Sequence, residues 1–215
     1  QLEKVVELIK TAQRPVIFAG GGVILSKSAE QLRQLAHSAR IPVTMSLMGL
    51  GGFPGSDPLS LGMLGMHGTY RANMSTGACD LLIGIGVRFD DRVTGKTDCF
   101  AAQAQIVHID IDPTSIRKNV PVSVPVVGDC KRSLEALNRR LAKEDLSRIT
   151  ATRGPWLDQI EQWKNDYKLA YVQEEVIKPQ FVVEKLYELT KGDAIIATEV
   201  GQNQMWAAQF YHFNK

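Results

Sequence analysis

The sequence predicts an α/β protein: a doubly wound parallel sheet with helices on both faces, followed by the beginning of a second α/β domain. Three observations predict it. Short runs of apolar residues recur without the in–out alternation of a sheet that has one wet face. Segments with helical spacing separate these runs, which is the pattern of parallel βαβ units. Glycine or charge follows several of the runs, as at the carboxyl edge where open α/β sheets bind ligands.

Leu2, Val5, Val6 and Ile9 recur with helical spacing, and Arg14-Pro15 ends that helix. Val16-Ile17-Phe18-Ala19 reads as the first buried strand and Gly20-Gly21-Gly22 as the turn after it. Ser28 and Gln31 make a capping-box pattern, and Ala29, Leu32, Leu35, Ala36 and Ala39 form the apolar face of the next helix. Pro42-Val43-Thr44-Met45 is the second strand. A Gly/Pro-rich loop then occupies residues 49–68, a length that usually signals function. A short helix is expected over 70–78 and a strand over 81–87. Further strands are expected at Ile106-Val107-His108-Ile109-Asp110 and over 122–127. Leu134, Leu137 and Leu141 mark a helix that closes the first domain, residues 1–143. Residues 144–153 read as polar linker within a connecting segment, 144–178, whose helix carries Trp156, Ile160, Trp163 and Tyr167. Pro179 opens the second domain, 179–215, with Val182, Val183, Leu186 and Leu189 on one helical face. Ala194-Ile195-Ile196-Ala197 reads as its first strand.

A chain of 215 residues, 44% hydrophobic, can bury a sizeable core. A net charge of +2 implies neither a nucleic-acid-binding arm nor an acidic tail. Cys79, Cys99 and Cys130 stand far apart. No CxxC or Cys/His cluster has metal-ligand spacing, which argues against structural zinc and for a reducing, cytoplasmic setting. No apolar run reaches the roughly 20 residues that cross a bilayer, so no membrane is expected. The chain opens inside a helical pattern, lacks an initiator methionine and stops just after a new motif begins, so it reads as part of a longer protein.

The most pointed stretch is Gly86-Val87-Arg88-Phe89-Asp90-Asp91-Arg92-Val93-Thr94-Gly95, directly after a buried strand. Charges at a core edge must be paired or meet a charged ligand. A surface salt-bridge cluster is the plainer reading; the place at a strand's carboxyl end favours an anionic, phosphate-bearing ligand. Gly20-Gly21-Gly22 can cradle phosphate with backbone N–H groups, or can simply be a tight turn. It is not a dinucleotide fingerprint, because Leu25 stands where GxGxxG needs its third glycine and Arg40 stands near the place of the ribose-binding acid. Leu64-Gly65-Met66-His67-Gly68 offers flat backbone for a planar ring and an imidazole donor, although a lone loop histidine is often only solvated. Asp110 and Asp112 suit ribose hydroxyls or a base amino group, or act as turn formers before Pro113. Gly128-Asp129 repeats the pattern. Several such strand ends on one edge argue for an extended ligand such as a dinucleotide.

Gly20-Gly21-Gly22, Leu47-Met48-Gly49-Leu50-Gly51, Leu64-Gly65-Met66-His67-Gly68, the 86–95 run, His108-Ile109-Asp110-Ile111-Asp112 and Val200-Gly201-Gln202-Asn203-Gln204-Met205-Trp206 resemble the large catalytic subunits of the acetohydroxyacid synthase (acetolactate synthase) family, in order along essentially the whole chain. These are thiamine-diphosphate enzymes of branched-chain amino-acid biosynthesis that condense two 2-keto acids with loss of CO₂. The resemblance implies that residues 1–143 are the family's six-stranded, FAD-binding middle domain. Its FAD contacts would fall on Gly21, Ser46, Leu47, Leu64, Gly65, Met66, His67, Gly86, Val87, Arg88, Phe89, Asp90, Arg92, Asp110, Ile111, Asp129 and Cys130. The flavin has no redox duty in the main reaction. Arg92 looks like the arginine that meets the keto-acid carboxylate, a task suited to a planar guanidinium. Gly201, Gln202 and Asn203 resemble the loop that holds thiamine diphosphate. Asn203 stands where the family usually has histidine; it can still donate to a phosphate, with a different charge and reach. The glutamate that activates the thiamine ring and the motif that holds Mg²⁺ would lie outside these residues. The resemblance further implies a homo-oligomer, dimer or tetramer, and a small regulatory subunit. The segment alone is expected to bind FAD weakly and to be inactive, with apolar surface exposed on parts of the Trp156-to-Tyr167 helix and at Met205-Trp206.

Other readings stay open on the residues. Pyruvate oxidase or glyoxylate carboligase are close relatives in chemistry, and the oxidase would reduce its flavin on turnover. A non-catalytic nucleotide-binding module is a third possibility. An NAD-dependent deacylase would need paired CxxC motifs, which are absent.

Overall fold

In a computed structural model describing residues 1–215, apolar runs become strands where a neighbouring strand can take their backbone hydrogen bonds. The elements are α1 (Leu2–Thr11), β1 (Pro15–Ala19), α2 (Gly21–Leu25), α3 (Ala29–Ala39), β2 (Val43–Met45), β3 (Ser60–Met63), α4 (Tyr70–Ala78), β4 (Leu81–Ile85), α5 (Asp91–Thr94), β5 (Gln105–Asp110), β6 (Val124–Val127), α6 (Cys130–Leu141), α7 (Ser147–Thr152), α8 (Gly154–Asp166), α9 (Pro179–Thr190) and α10 (Gln202–Phe210). The six strands form one all-parallel sheet in the order β3-β2-β1-β4-β5-β6. The chain winds outward from β1 to β3, then returns to the other side of β1 at β4. Ligands of such sheets sit outside the carboxyl ends where the winding reverses, here between β1 and β4.

Successive strand residues feed two cores. Ile17, Ala19, Val43, Met45, Ile83, Ile85, Val107 and Ile109 pack with Val5, Ile9, Leu32, Leu35, Leu134 and Leu137 of α1, α3 and α6. Val16, Phe18, Leu82 and Ile106 pack on the other face with Ala72 of α4 and with Trp156 and Ile160 of α8. Helices on both faces explain why the strands are apolar throughout.

Several expectations need correction. The loop over 49–68 contains the edge strand β3, paired with β2. Its Ser-Leu-Gly-Met sequence hides it: Gly62 has φ +80° and sits where the register shifts. Thr44 Oγ1 donates to the Gly62 carbonyl at 2.9 Å and secures the irregular edge. Helix α1 ends at Thr11 rather than Arg14, because Asp80 accepts from the Gln13 and Arg14 amides (2.7 and 2.9 Å) and draws that connection toward β4. Only Gly20 is turn; Gly21 and Gly22 already belong to α2. The capping box does not form. Ser28 has φ −111° and ψ 16°, not the extended backbone of a cap, and its hydroxyl donates to the Val23 carbonyl at 3.2 Å. Gln31 Oε1 is left buried without a partner.

The stretch read as polar linker is helical over Ser147–Thr152 and ends on Arg153, which is fully buried. The Arg153 guanidinium donates to the carbonyls of Ile9, Ala12 and Ala39, at the C-terminal ends of α1 and α3. Those carbonyls carry the negative end of each helix dipole, so the cation's hydrogen bonds are all met by backbone, with the Asp80 charge nearby. Burial still pushes its pKa down to about 10. Helix α8 covers the sheet: Trp156 and Ile160 are buried and Trp156 Nε1 donates to the Pro15 carbonyl at 3.3 Å, so the exposure expected of part of this segment falls on Tyr167, 55% exposed, and not on Trp156. Met205 and Trp206 are likewise half-buried. Residues 194–197 form no strand, because no other strand lies beside them; Ile195 is fully exposed. No helix is long and apolar enough to cross a membrane.

Candidate functional site

Each of the strand-end segments singled out above lies at the carboxyl edge of the sheet. Gly21 follows β1, Ser46 and Leu47 follow β2, and Leu64, Gly65, Met66 and His67 follow β3. Gly86, Val87, Arg88, Phe89 and Asp90 follow β4, Asp110 and Ile111 end β5, and Asp129 and Cys130 follow β6. A parallel sheet has all its carboxyl ends on one side, so six separated segments meet along one line.

The centre of that line is built by glycines. The Gly20 amide donates to the Ile85 carbonyl at 3.0 Å and the Gly22 amide to the Gly86 carbonyl at 3.1 Å. A Cβ on Gly22 would lie 2.6 Å from Gly86 Cα, and Gly86 itself has φ +58°. Gly20, Gly22 and Gly86 thus bring two strand ends into backbone contact, which is the plain packing reading. Gly21 differs, because no side chain caps α2 and its N–H stands at the helix start.

The segment after β4 splits by side chain. Val87 and Phe89 turn into the second core, so only their backbone can meet a ligand. Arg88 and Asp90 pair outward at 2.8 Å, with Arg88 77% exposed. Arg92 is exposed on α5, and its carbonyl accepts from the Met66 amide at 3.2 Å. Gly65 has φ +107°, and a Cβ there would lie 2.7 Å from the Arg92 carbonyl. The loop after β3 is thereby laced to the segment carrying Arg92.

The carboxylates differ in freedom. Asp110 is buried and its Oδ1 accepts from the Asp112 amide at 2.9 Å. Asp129 caps α6 by accepting from the Arg132 amide at 3.0 Å. Hydrogen bonds from Thr114 and Ser115 hold the Asp112 carboxyl below its usual range. Burial, with Asp110 and Asp129 nearby, pushes the Cys130 thiol up to about 11, so it is a protonated side chain rather than a nucleophile.

A cavity of about 400 Å³ opens beside this edge. Leu47, Met63, Leu64, Met66 and Val93 give it apolar walls, and His67 and Arg92 reach it from the two laced loops. Val200, Gly201, Gln204, Met205 and Ala208 close it from the other side, where Gln209 Nε2 of α10 donates to the His67 carbonyl at 2.9 Å. Arg92 is its only Arg, Lys, Asp or Glu. One planar cation in an apolar cavity suits a small ligand with a carboxylate at one end.

The predicted residues are only partly gathered there. Arg88, Asp90, Asp110, Ile111, Asp129 and Cys130 share the edge but do not line this cavity. Of the thiamine-diphosphate residues, Gly201 lines it, whereas Asn203 faces a second cavity of about 450 Å³ with Val182, Val183 and Trp206 between α9 and α10. Gln202 lines neither. Met63, Val93, Val200, Gln204, Met205 and Ala208 line the cavity and were missed as site residues. Gly201, Gln204, Met205 and Ala208 follow helical spacing, a signal that could have found the three on α10; Met63 lay hidden in the unseen strand.

Comparison with known proteins bears on this geometry. A family described as the central domain of thiamine pyrophosphate enzymes matches residues 2–137. Acetolactate synthase 1, chloroplastic, of Zea mays is 48% identical over 215 residues, all of this chain and 33% of the relative. The acetolactate synthase large subunit of Haemophilus influenzae is 48% identical, over all of this chain and 38% of the relative. The acetolactate synthase isozyme 3 large subunit of Escherichia coli (strain K12) is 44% identical over the same shares. The chain spans about a third of the length of the curated relatives it matches.

Proposed function

The chain belongs to the thiamine pyrophosphate enzyme family, and on that premise we propose that it is the FAD-binding middle part, with the start of the thiamine-diphosphate part, of an acetolactate synthase catalytic subunit. The proposed reaction condenses two pyruvates to acetolactate and CO₂, a step of branched-chain amino-acid biosynthesis. The single observation that carries the reading is the cavity in which Arg92 meets both the His67 loop and Gly201.

The donor set fits the two organic groups. For a flavin dinucleotide the edge offers the Gly21 N–H, the Asp110 carboxylate, the exposed Arg88 cation and the exposed apolar side chains of Leu47, Met48, Met66 and Ile111. For a diphosphate, α10 follows Gly201 with no side-chain cap, which leaves first-turn N–H groups to donate. Bound thiamine diphosphate supplies the carbanion equivalent that a keto acid cannot form alone. Arg92 would take the carboxylate of the keto acid through two parallel N–H groups of its guanidinium and orient its carbonyl. The apolar walls would exclude water and strengthen that ion pair. Mg²⁺ would be held by residues elsewhere in the subunit. Its partners would be further copies of the subunit and a small regulatory subunit, in the cytoplasm.

The test is to supply the complete subunit carrying this segment with pyruvate, thiamine diphosphate, Mg²⁺ and FAD. Acetolactate with the flavin left oxidised supports the reading. Flavin reduction during turnover points to an oxidase, and absence of acetolactate overturns the reading. The 215 residues alone are expected to give no product.

A further inference from the structure

The loop after β4 is held from beneath by two side chains that no ligand reading uses. His108 stands on β5, fully buried, with Nε2 2.7 Å from the Val87 carbonyl oxygen. A carbonyl only accepts, so Nε2 carries a hydrogen. Nδ1 has no partner. Charging the ring would bury a second N–H with nothing to meet, and burial lowers its pKa accordingly. The next two carbonyls are taken by one amide: Asn119 Nδ2 donates to the Phe89 carbonyl at 3.0 Å and to that of Arg88 at 3.4 Å. Three successive carbonyls are thus bound by β5 and the β5–β6 connection.

The turn needs such restraint. Phe89 has φ +49°, a left-handed backbone that bulky residues rarely adopt. Its ring packs edge-on against His108 at 4.9 Å and Phe18 at 5.7 Å. It lies over Gly84, where a Cβ would come within 2.5 Å of it. A leucine at 108 would fill the space without leaving an orphan nitrogen. What the histidine adds is the Nε2–H donor.

We propose that His108 and Asn119 are positioning residues for the ligand edge. By binding the carbonyls of Val87, Arg88 and Phe89 they hold the turn in the shape that sends Val87 and Phe89 inward and Arg88 and Asp90 outward. The same turn sets where α5 begins, and so where Arg92 stands. Neither residue touches the ligand. The role rests on the flavin reading above for the identity of that ligand.

Two readouts on the complete subunit keep the claims apart: amide hydrogen exchange over residues 87–93 without ligand, and FAD affinity from quenching of flavin fluorescence. His108→Leu keeps bulk and removes the donor. His108→Gln returns an N–H near the Nε2 position. Asn119→Asp keeps the shape of an exposed residue and removes its donors. Both His108→Leu and Asn119→Asp should speed exchange over 87–93 and weaken FAD about tenfold, the worth of one lost hydrogen bond, with β4 and β5 amides still protected. His108→Gln should restore both to within about threefold. Unchanged exchange and affinity in His108→Leu overturns the proposal. So does a His108→Gln as impaired as His108→Leu, which would make the ring mere packing. Should His108→Leu not fold, Asn119→Asp decides by the same two readouts. Should the wild type bind no FAD, the flavin reading fails and exchange alone decides the positioning role.

Discussion

Val16, Ile17, Leu82, Ile83 and Val107 of the sheet body are fully buried, whereas Ile195 is fully exposed and Val200 is 91% exposed. Both regions carry apolar runs that read as strands. They differ in what lies beside them. Every strand from β1 to β6 pairs with a neighbour, and β1, β2 and β4 are buried along their whole length, while residues 194–197 have no strand to pair with and α9 buries no residue. An apolar run therefore specifies a need for a partner, and becomes a strand only where one is supplied.

This contrast can be broken by substitution. The largest effect is expected at Arg153, where the body depends on one buried cation. Arg153→Ala would leave the carbonyls of Ile9, Ala12 and Ala39 unsatisfied and open a cavity, costing about 3 kcal/mol in urea unfolding. A loss below about 1 kcal/mol would mean that α1 and α3 do not need it. Next comes Gly22→Ala, whose Cβ would press on Gly86 Cα at 2.6 Å; a loss of about 2 kcal/mol is expected. Gly77→Ala is its control: nothing lies within 4 Å, and α4 should gain about 0.5–1 kcal/mol. The smallest effect belongs to the second region. Ile195→Ser should change stability by less than about 0.5 kcal/mol while reducing self-association in sedimentation. A large destabilisation there would show that residues 194–197 are packed after all.

The sheet body was legible because its signals are local. Apolar runs, helical spacing and terminal glycines identified five strands and the covering helices. Strand β3 was not, since Gly62 breaks its pattern at an edge. Arg153 was not, since nothing in a polar run says that helix ends elsewhere will receive its charge. At the site, strand-end residues were legible as an edge because parallel strands share one. Which of them line a common cavity depends on how loops 64–67 and 86–92 interlace and on where α10 docks, and those contacts join residues far apart in sequence. Arg92 and Arg88 look alike in sequence. Only the fold separates the arginine in the cavity from the one beside it.

That separation gives the most direct test of the central claim. In the complete subunit, Arg92→Lys keeps the charge and removes the planar fork. A KM for pyruvate raised about tenfold or more is expected, with FAD affinity within about twofold of wild type. Equal loss of keto-acid use and FAD affinity would contradict it, because Arg92 would then belong to the flavin edge and not to the substrate cavity.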